Sequence, residues 1–379
     1  MTFGKSISVR IVLAFAVINL ASLCNKPIQE KIDDIRTKHK VPALGALIQR
    51  DEKVDVYISG FRKLGDPTLA KTSDKFHLGS DTKAMTATQI AILVQEGRIR
   101  WNSKLSEIFP EWTDSMNEAM KPMTVEMLSS HMSGITPDLY AFQDGILIKI
   151  ATDPNKTLLQ IRAETSRLIF ESAPLHKPGT HFEYSNMNYI ILGAVIEKLK
   201  GSRWEETIEN MIFKPLGMSS CGFGPPGNPD APEPDQPWAH FVDAEGTKAM
   251  RPDSNADNPP AFGPAGTVHC SMQDWAKFLT IHRNGFNGKS SVILEAEGFK
   301  KLHEAYPGQE YTYGAWGRIP QPWAGGDALT HAGSNNGNYV TAWIAPKKNL
   351  ILLSVANMGG EAAVATDEVV QALLSSQKQ

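Results

Sequence analysis

The chain has 379 residues, 41% of them hydrophobic and 21% charged, with a formal net charge of -3 and a pI near 6.4. That length buries a sizeable core and suits two structural units, or one domain with a large insertion. No basic block stands out, which argues against a nucleic-acid partner.

The N-terminus has a character of its own. Lys5 and Arg10 precede an apolar run from Ile11 to Leu23, and the first acidic residue is Glu30. A positive stretch followed by a short apolar one resembles a secretory leader and is too short to span a bilayer comfortably. Residues 1–24 are therefore expected to be a leader and the body periplasmic or secreted, with membrane contact only through an uncleaved leader. "ASLC" resembles a lipobox, although Leu23 stands where a small residue is wanted before Cys24. Losing this segment removes two cations and no anion, taking the net charge from -3 to -5. The competing reading is an apolar helix packed on the body.

Next in order, "PIQEKIDDIRTKHK" (27–40) has the pattern of an amphipathic helix. "ALGALIQR" and "KVDVYISG" read as strands of a hairpin around the polar "DEK". "FHLGSDTKAMTATQIAILVQEG" (76–97) reads as a buried helix with Ser80 and Lys83 in its first turn. From about residue 100 to 300, short helical patterns alternate with Pro- and Gly-rich loops, and 222–260 is expected to be an irregular surface excursion. "YTYGAWGRI", "NNGNYVTAWIAP" and "NLILLSVANMGG" return to strand character, with "PKKN" as a turn between the last two. "EAAVATDEVVQALLSS" closes the chain as a helix. Helix and hairpin at one end, strands and helix at the other, predict an α/β (α+β) unit built from 25–99 plus 300–379, with 100–299 as a helical insertion.

Of the three cysteines, Cys221 and Cys270 remain if Cys24 leaves with the leader; they either pair or stay as isolated buried thiols. There is no CxxC, HxH or HExxH, so no metal is expected.

The chemistry begins at Ser80. A serine alcohol is a weak nucleophile unless a neighbouring base removes its proton. At i and i+3 on a helix, Ser80 and Lys83 share a face. Burial and a helix N-terminus both favour the neutral amine, and that helix end also offers the Ser80 N–H to a developing oxyanion. The bare S-x-x-K pattern is unspecific, recurring at Ser375–Lys378. A second stretch, "PGTHFEYSNMNYIILG", places Tyr184-Ser185-Asn186 between a turn and a helix. Tyr184 can relay a proton, and Asn186 can bond the lysine and a substrate carbonyl. A third, "LTHAGSNNGNYV", puts His331-Ala332-Gly333 at the start of a predicted strand. There Gly333 admits close backbone approach, and the N–H of Ser334 can complete the oxyanion hole. Trp238, Tyr313 and Trp316 either line the cleft or pack the core.

Together and in this order, "SDTK", "YSN" and "HAG" resemble the serine β-lactamase and penicillin-binding-protein superfamily. "MTVEMLSSHMSGI", "IFKPLGMSS" and "PAGTVHCSMQDWAKFL" point to its branch of class C β-lactamases, D-alanyl-D-alanine carboxypeptidases and related carboxylesterases. The resemblance runs from about residue 27 to the end. It implies a helix-flanked antiparallel sheet beside an all-helical subdomain, with the site at their junction and no cofactor. It implies catalytic roles for Ser80, Lys83 and Tyr184, and a substrate-binding wall of Asn186, His331, Gly333 and Ser334. Class C β-lactamases usually carry Lys where this chain has His331, so a small ester or peptide substrate ranks above a lactam. No glutamate matches the class A deacylation residue; Glu183 reads as structural. No serine sits in a G-x-S-x-G elbow. A β-lactamase is the alternative, and a non-catalytic peptidoglycan- or protein-binding descendant the alternative of another class.

Overall fold

The computed structural model describes residues 26–138, 145–253 and 256–376, so the expected leader and Cys24 lie outside the described residues. Helix α1 (Ile28–Lys38) buries Ile32 and Ile35, three residues apart on one face. Strands β1 (Ala43–Arg50) and β2 (Lys53–Gly60) form the expected hairpin, with Arg50 opposite Lys53. Along β1 the side chains alternate: Leu44, Ala46 and Ile48 enter a core with Ile32 and Ile35, whereas Leu47 enters a second core on the other face. A strand apolar in both phases is the signature of a sheet covered on both sides.

β3 (Lys75–His77) leads through a 3-10 turn, Gly79–Asp81, into α2 (Thr82–Gln95). Twelve consecutive α2 residues, Thr82 to Leu93, are buried. A helix small or apolar all round has no solvent face and becomes the centre of its layer. The helix α3 (Leu158–Glu171) is capped by Thr157, which accepts from the Gln160 amide, and packs on α4 (Asn186–Lys200). The inserted region is not all helical, contrary to expectation. It holds β4 (Gly222–Phe223), a ribbon of β5 (Ala239–Asp243) and β6 (Gly246–Met250), and β7 (Val268–Ser271). β7 pairs with β3 and β4, so extended backbone that reads as loop finds its partners far away in sequence. Cys221 and Cys270 form a disulfide, which settles the alternative left open above.

α5 (Met272–Phe286) lies within 100–299 yet packs on the sheet as well as on the short helix Ala296–Leu302. Beyond it come β8 (Gly317–Gln321), β9 (Gly326–Asn335), β10 (Asn338–Ala345), β11 (Leu350–Ala356) and α6 (Ala363–Ser375). The main sheet runs β2-β1-β11-β10-β9-β8, antiparallel throughout. Its outer face is covered by α1 and α6 and its inner face by α5. This is the helix-flanked antiparallel architecture expected, with two differences of register. The expected strand over 311–319 begins only at Gly317. The "HAG" box lies in the second half of β9, because Asn336-Gly337 makes a two-residue hairpin turn inside the run read as one strand. Among the described residues, no helix is long and apolar enough to cross a membrane.

Candidate active site

The site forms where the nucleophile turn meets β9. Ser80 is not in the first turn of the α-helix, as expected, but in the 3-10 turn before it. Gly79 takes φ +51°, a left-handed conformation that redirects the chain out of β3. A Cβ on Gly79 would lie 2.7 Å from the backbone N and O of Ser334. A Cβ on Gly333 would lie 1.9 Å from the Leu78 carbonyl oxygen. Two glycines thus let turn and strand touch backbone to backbone, which sets the Ser334 amide beside the turn that carries Ser80.

A buried network ties the same two segments together from behind. His77 Nδ1 accepts from the Gly79 amide at 3.1 Å, and His77 Nε2 lies 3.2 Å from Asp257 Oδ1. Asn335 donates to Asp257 and Thr267 donates to its other oxygen, at 2.5 and 2.7 Å. Against burial, which raises it, His77, with the Thr267 hydroxyl and the Asn258 amide, holds the Asp257 carboxyl below its ordinary value.

Lys83 Nζ is 3.1 Å from Ser80 Oγ and donates to the Ala265 carbonyl at 2.7 Å. Its side chain is wholly buried. Burial pulls the amine down to about 7, against a smaller upward pull from the Asp81 carboxylate. A neutral amine with one N–H committed to Ala265 keeps a lone pair for the Ser80 proton. The Tyr184 phenol lies close enough to Ser80 for the hydroxyl to favour its ionised form, and Lys83 Nζ stands 5.1 Å from its ring centroid. Burial holds the Tyr184 phenol well above its ordinary value, outweighing the effect of Ser80, so the phenol keeps its proton at neutral pH. Of the two groups next to Ser80, the lysine is therefore the one with an available base form.

The Tyr184 turn has its own support. His131, with φ +58°, lies 4.3 Å from the Tyr184 ring, centroid to centroid, tilted by 35°. Its Nδ1 accepts from the Ser185 amide at 3.2 Å and faces Asn188 Nδ2 at 2.9 Å. Burial, with Lys83 and His331 nearby, pushes His131 far below the usual histidine range. Ser185 caps α4, its side chain accepting from Met187 N, and Asn186 is the first helical residue. Among the described residues Asn186 makes no hydrogen bond to Lys83; the Ala265 carbonyl takes that place.

His331 points toward the turn, its Nδ1 3.5 Å from Asp81 Oδ2 and its Nε2 3.3 Å from the Tyr311 hydroxyl. β8 pairs with β9 only as far as Thr330, so among the described residues His331–Asn335 pairs with β10 on one side and with no strand on the other. The structure thus brings Ser80, Lys83, Tyr184, His331, Gly333 and Ser334 to one place. Trp316 and Tyr313, 0% and 3% exposed, belong to the core. Sequence reasoning missed Asp81, His131, Tyr311 and the Ala265 carbonyl. "SSHMSG" was part of the resemblance, but nothing in it announces a histidine under the tyrosine. Among the described residues, no group of His, Cys, Asp and Glu is arranged to hold a metal ion.

The fold and the Ser-Lys-Tyr cluster at the sheet–helix junction define the β-lactamase and penicillin-binding-protein architecture. Residues 28–375 match the Beta-lactamase family model, and the chain belongs to that family. Protein flp of Staphylococcus aureus (strain N315) is 29% identical over 258 residues, covering 66% of this chain. The matched stretch spans 48% of that relative, about half its length. Penicillin-binding protein 4 of Amycolatopsis lactamdurans is 23% identical over 361 residues, covering 89% of this chain and 87% of that one. Among solved structures, the octameric penicillin-binding protein homologue from Pyrococcus abyssi superposes with a TM-score of 0.73 at 23% identity, covering 91% of this chain and 76% of that one. D-amino acid amidase from Ochrobactrum anthropi SV3, complexed with L-phenylalanine amide, gives 0.69 at 19% identity, covering 93% and 97%. At such identities the structural likeness speaks for the fold.

Proposed function

We propose that this chain is an exported serine hydrolase that works through an acyl-enzyme on Ser80. One observation carries the reading: a fully buried amine, drawn down to about 7, lies 3.1 Å from a serine hydroxyl. In this scheme neutral Lys83 accepts the Ser80 proton as Oγ attacks the substrate carbonyl. The N–H groups of Ser80 and Ser334 hold the oxyanion, donors fixed in advance by the two glycine contacts. Tyr184, protonated and beside Ser80, passes a proton to the departing oxygen or nitrogen. Water then releases the acyl group by the reverse relay.

The edge of β9 that pairs with no strand favours a substrate with an extended, peptide-like backbone, which can pair there as another strand would. With His331 in place of a lysine, this ranks ester, amide or D,D-peptide hydrolysis above lactam hydrolysis. The Cys221–Cys270 disulfide supports an oxidising compartment and so export. With Ser80→Ala, p-nitrophenyl ester hydrolysis and covalent labelling by a fluorophosphonate or penicillin, read by intact mass, are expected to vanish. An unchanged rate or adduct would defeat the assignment. A short acyl ester, a D-Ala-D-Ala peptide and a chromogenic cephalosporin assayed side by side rank the substrates, and dominant lactam turnover would reverse the order.

A further inference from the structure

Asp81 follows the nucleophile directly, and its side chain is completely buried, yet neither carboxylate oxygen accepts a hydrogen bond. A buried carboxylate without such partners is costly and calls for a compensating charge. His331 Nδ1 stands 3.5 Å from it, an ion pair when the imidazole is protonated, and burial raises the Asp81 carboxyl above its ordinary value against the pull of His331 and Lys83. Gly333 makes the room: a Cβ there would stand 2.7 Å from Asp81 Oδ2. The other ionisable groups that feel Asp81 surround the same point. They are Lys83 two residues along, Tyr184 before α4, Tyr311, and Tyr339 on β10.

We propose that Asp81 is a positioning residue: seated under Gly333, its carboxylate pairs with His331 and supplies the counter-charge that governs when Lys83 carries a proton. This rests on the reading of Lys83 as the base. A carboxylate facing Nδ1 favours the proton on that nitrogen and turns Nε2 toward Tyr311, whose buried phenol stays protonated. The same negative charge favours the ammonium form of Lys83. A neutral residue at 81 favours the free amine, the form that takes the Ser80 proton.

The test is the pH profile of kcat/KM for an uncharged p-nitrophenyl ester in the wild type, Asp81→Asn and Asp81→Val. Rates are normalised to sites titrated with a fluorophosphonate. The wild-type acid limb is expected near 7, where Lys83 titrates. An opposite charge at close range moves such a group by about one unit or more, so the limb of both variants falls to roughly 6. At pH 6 the neutral fraction of Lys83 then rises from about one-tenth to about one-half, a roughly fivefold gain relative to the plateau. A limb that stays in place in folded, labelled variants overturns the proposal. Should neither variant fold, Asp81→Ser carries the test: it too is neutral, so the limb must again fall, and no shift or an upward one is fatal. If wild-type protein forms no Ser80 adduct, the acyl-enzyme reading fails first; if it forms one and only the limb is unmoved, Asp81 alone is wrongly assigned.

Discussion

Lys83→Met separates catalysis from stability, because the two are expected to move in opposite directions. The folded protein holds the Lys83 amine at about 7 against an ordinary value of 10.5. Between those values the unfolded chain binds a proton that the folded chain does not, so wild-type stability rises with pH across this window. At pH 7 the mismatch costs the folded state on the order of 4 kcal/mol. Methionine fills a similar volume without charge and relieves that cost, but it leaves the Ala265 carbonyl without its donor, a loss of about 1–3 kcal/mol. The net expectation is a gain of about 1–3 kcal/mol at pH 7, shrinking as the pH approaches 10. Ester hydrolysis should fall by about 10²–10⁴-fold, the usual contribution of a general base. Urea denaturation at pH 7 and pH 10, with initial rates on the same samples, measures both. A variant less stable than wild type at pH 7, or one that keeps near-normal activity, refutes the account of Lys83 as a buried, largely neutral base.

Two further outcomes follow from the packing and the buried histidines. Gly333→Ala sets a methyl 1.9 Å from the Leu78 carbonyl oxygen, a backbone atom that cannot rotate away. The strand must therefore shift, with a loss of about 1–3 kcal/mol or more and the oxyanion donors displaced; wild-type kcat in this variant would show that the Ser80 turn and β9 are not in such contact. Burial holds His282 at about 3 and His269 at about 4, and pushes His131 and His303 well below the usual range. Below about 6.5 the unfolded chain takes up protons these histidines refuse, so stability present at pH 7 is lost as pH falls. By pH 5 each should have contributed about 2 kcal/mol of that loss. A urea midpoint unchanged between pH 7 and pH 5 would contradict it.

The parts of the site legible in sequence were those whose chemistry is local. Ser80 and Lys83 are three residues apart on one turn, and Tyr184 stands beside a helix start, so spacing suggests that they can meet, while the resemblance carried by the three boxes together implies their roles. Gly333 carried a signal as well, because a glycine in strand-like sequence implies close backbone approach, here to Leu78. β9 was harder: "GDALTHAGSN" is polar and short of β-branched residues, and its extended form depends on pairing with β10 and β8. The Asn336-Gly337 turn was legible in principle as a hairpin dipeptide, but the apolar run that follows it hides the break. Ala265 contributes only a carbonyl, and no residue type announces that. His131 and Tyr311 act through contacts with segments far along the chain, which no spacing encodes.

What these misses share is physical, and it locates the site independently of the three boxes. Most of the molecule obeys simple rules: apolar residues fill two cores on either side of the sheet, and exposed charges lie on the surface. Some exceptions lie elsewhere, among them buried Arg162 with Glu197 and the paired His282 and His303, but one group of them surrounds Ser80. Lys83 is a buried amine, Asp81 a buried carboxylate without a hydrogen bond, and His131 a buried histidine with positive φ. Each alone weakens the fold, and a sequence under selection for stability alone would replace them with leucine or valine. What sets the group at Ser80 apart is that its members converge on one hydroxyl. Such a cluster is what a functional site requires, because desolvated groups have the altered proton affinities that acyl transfer needs at neutral pH. If Lys83, Asp81 and His131 could all be replaced by apolar residues with a gain in stability and no loss of turnover, that convergence would have no meaning and the site would have to be sought elsewhere.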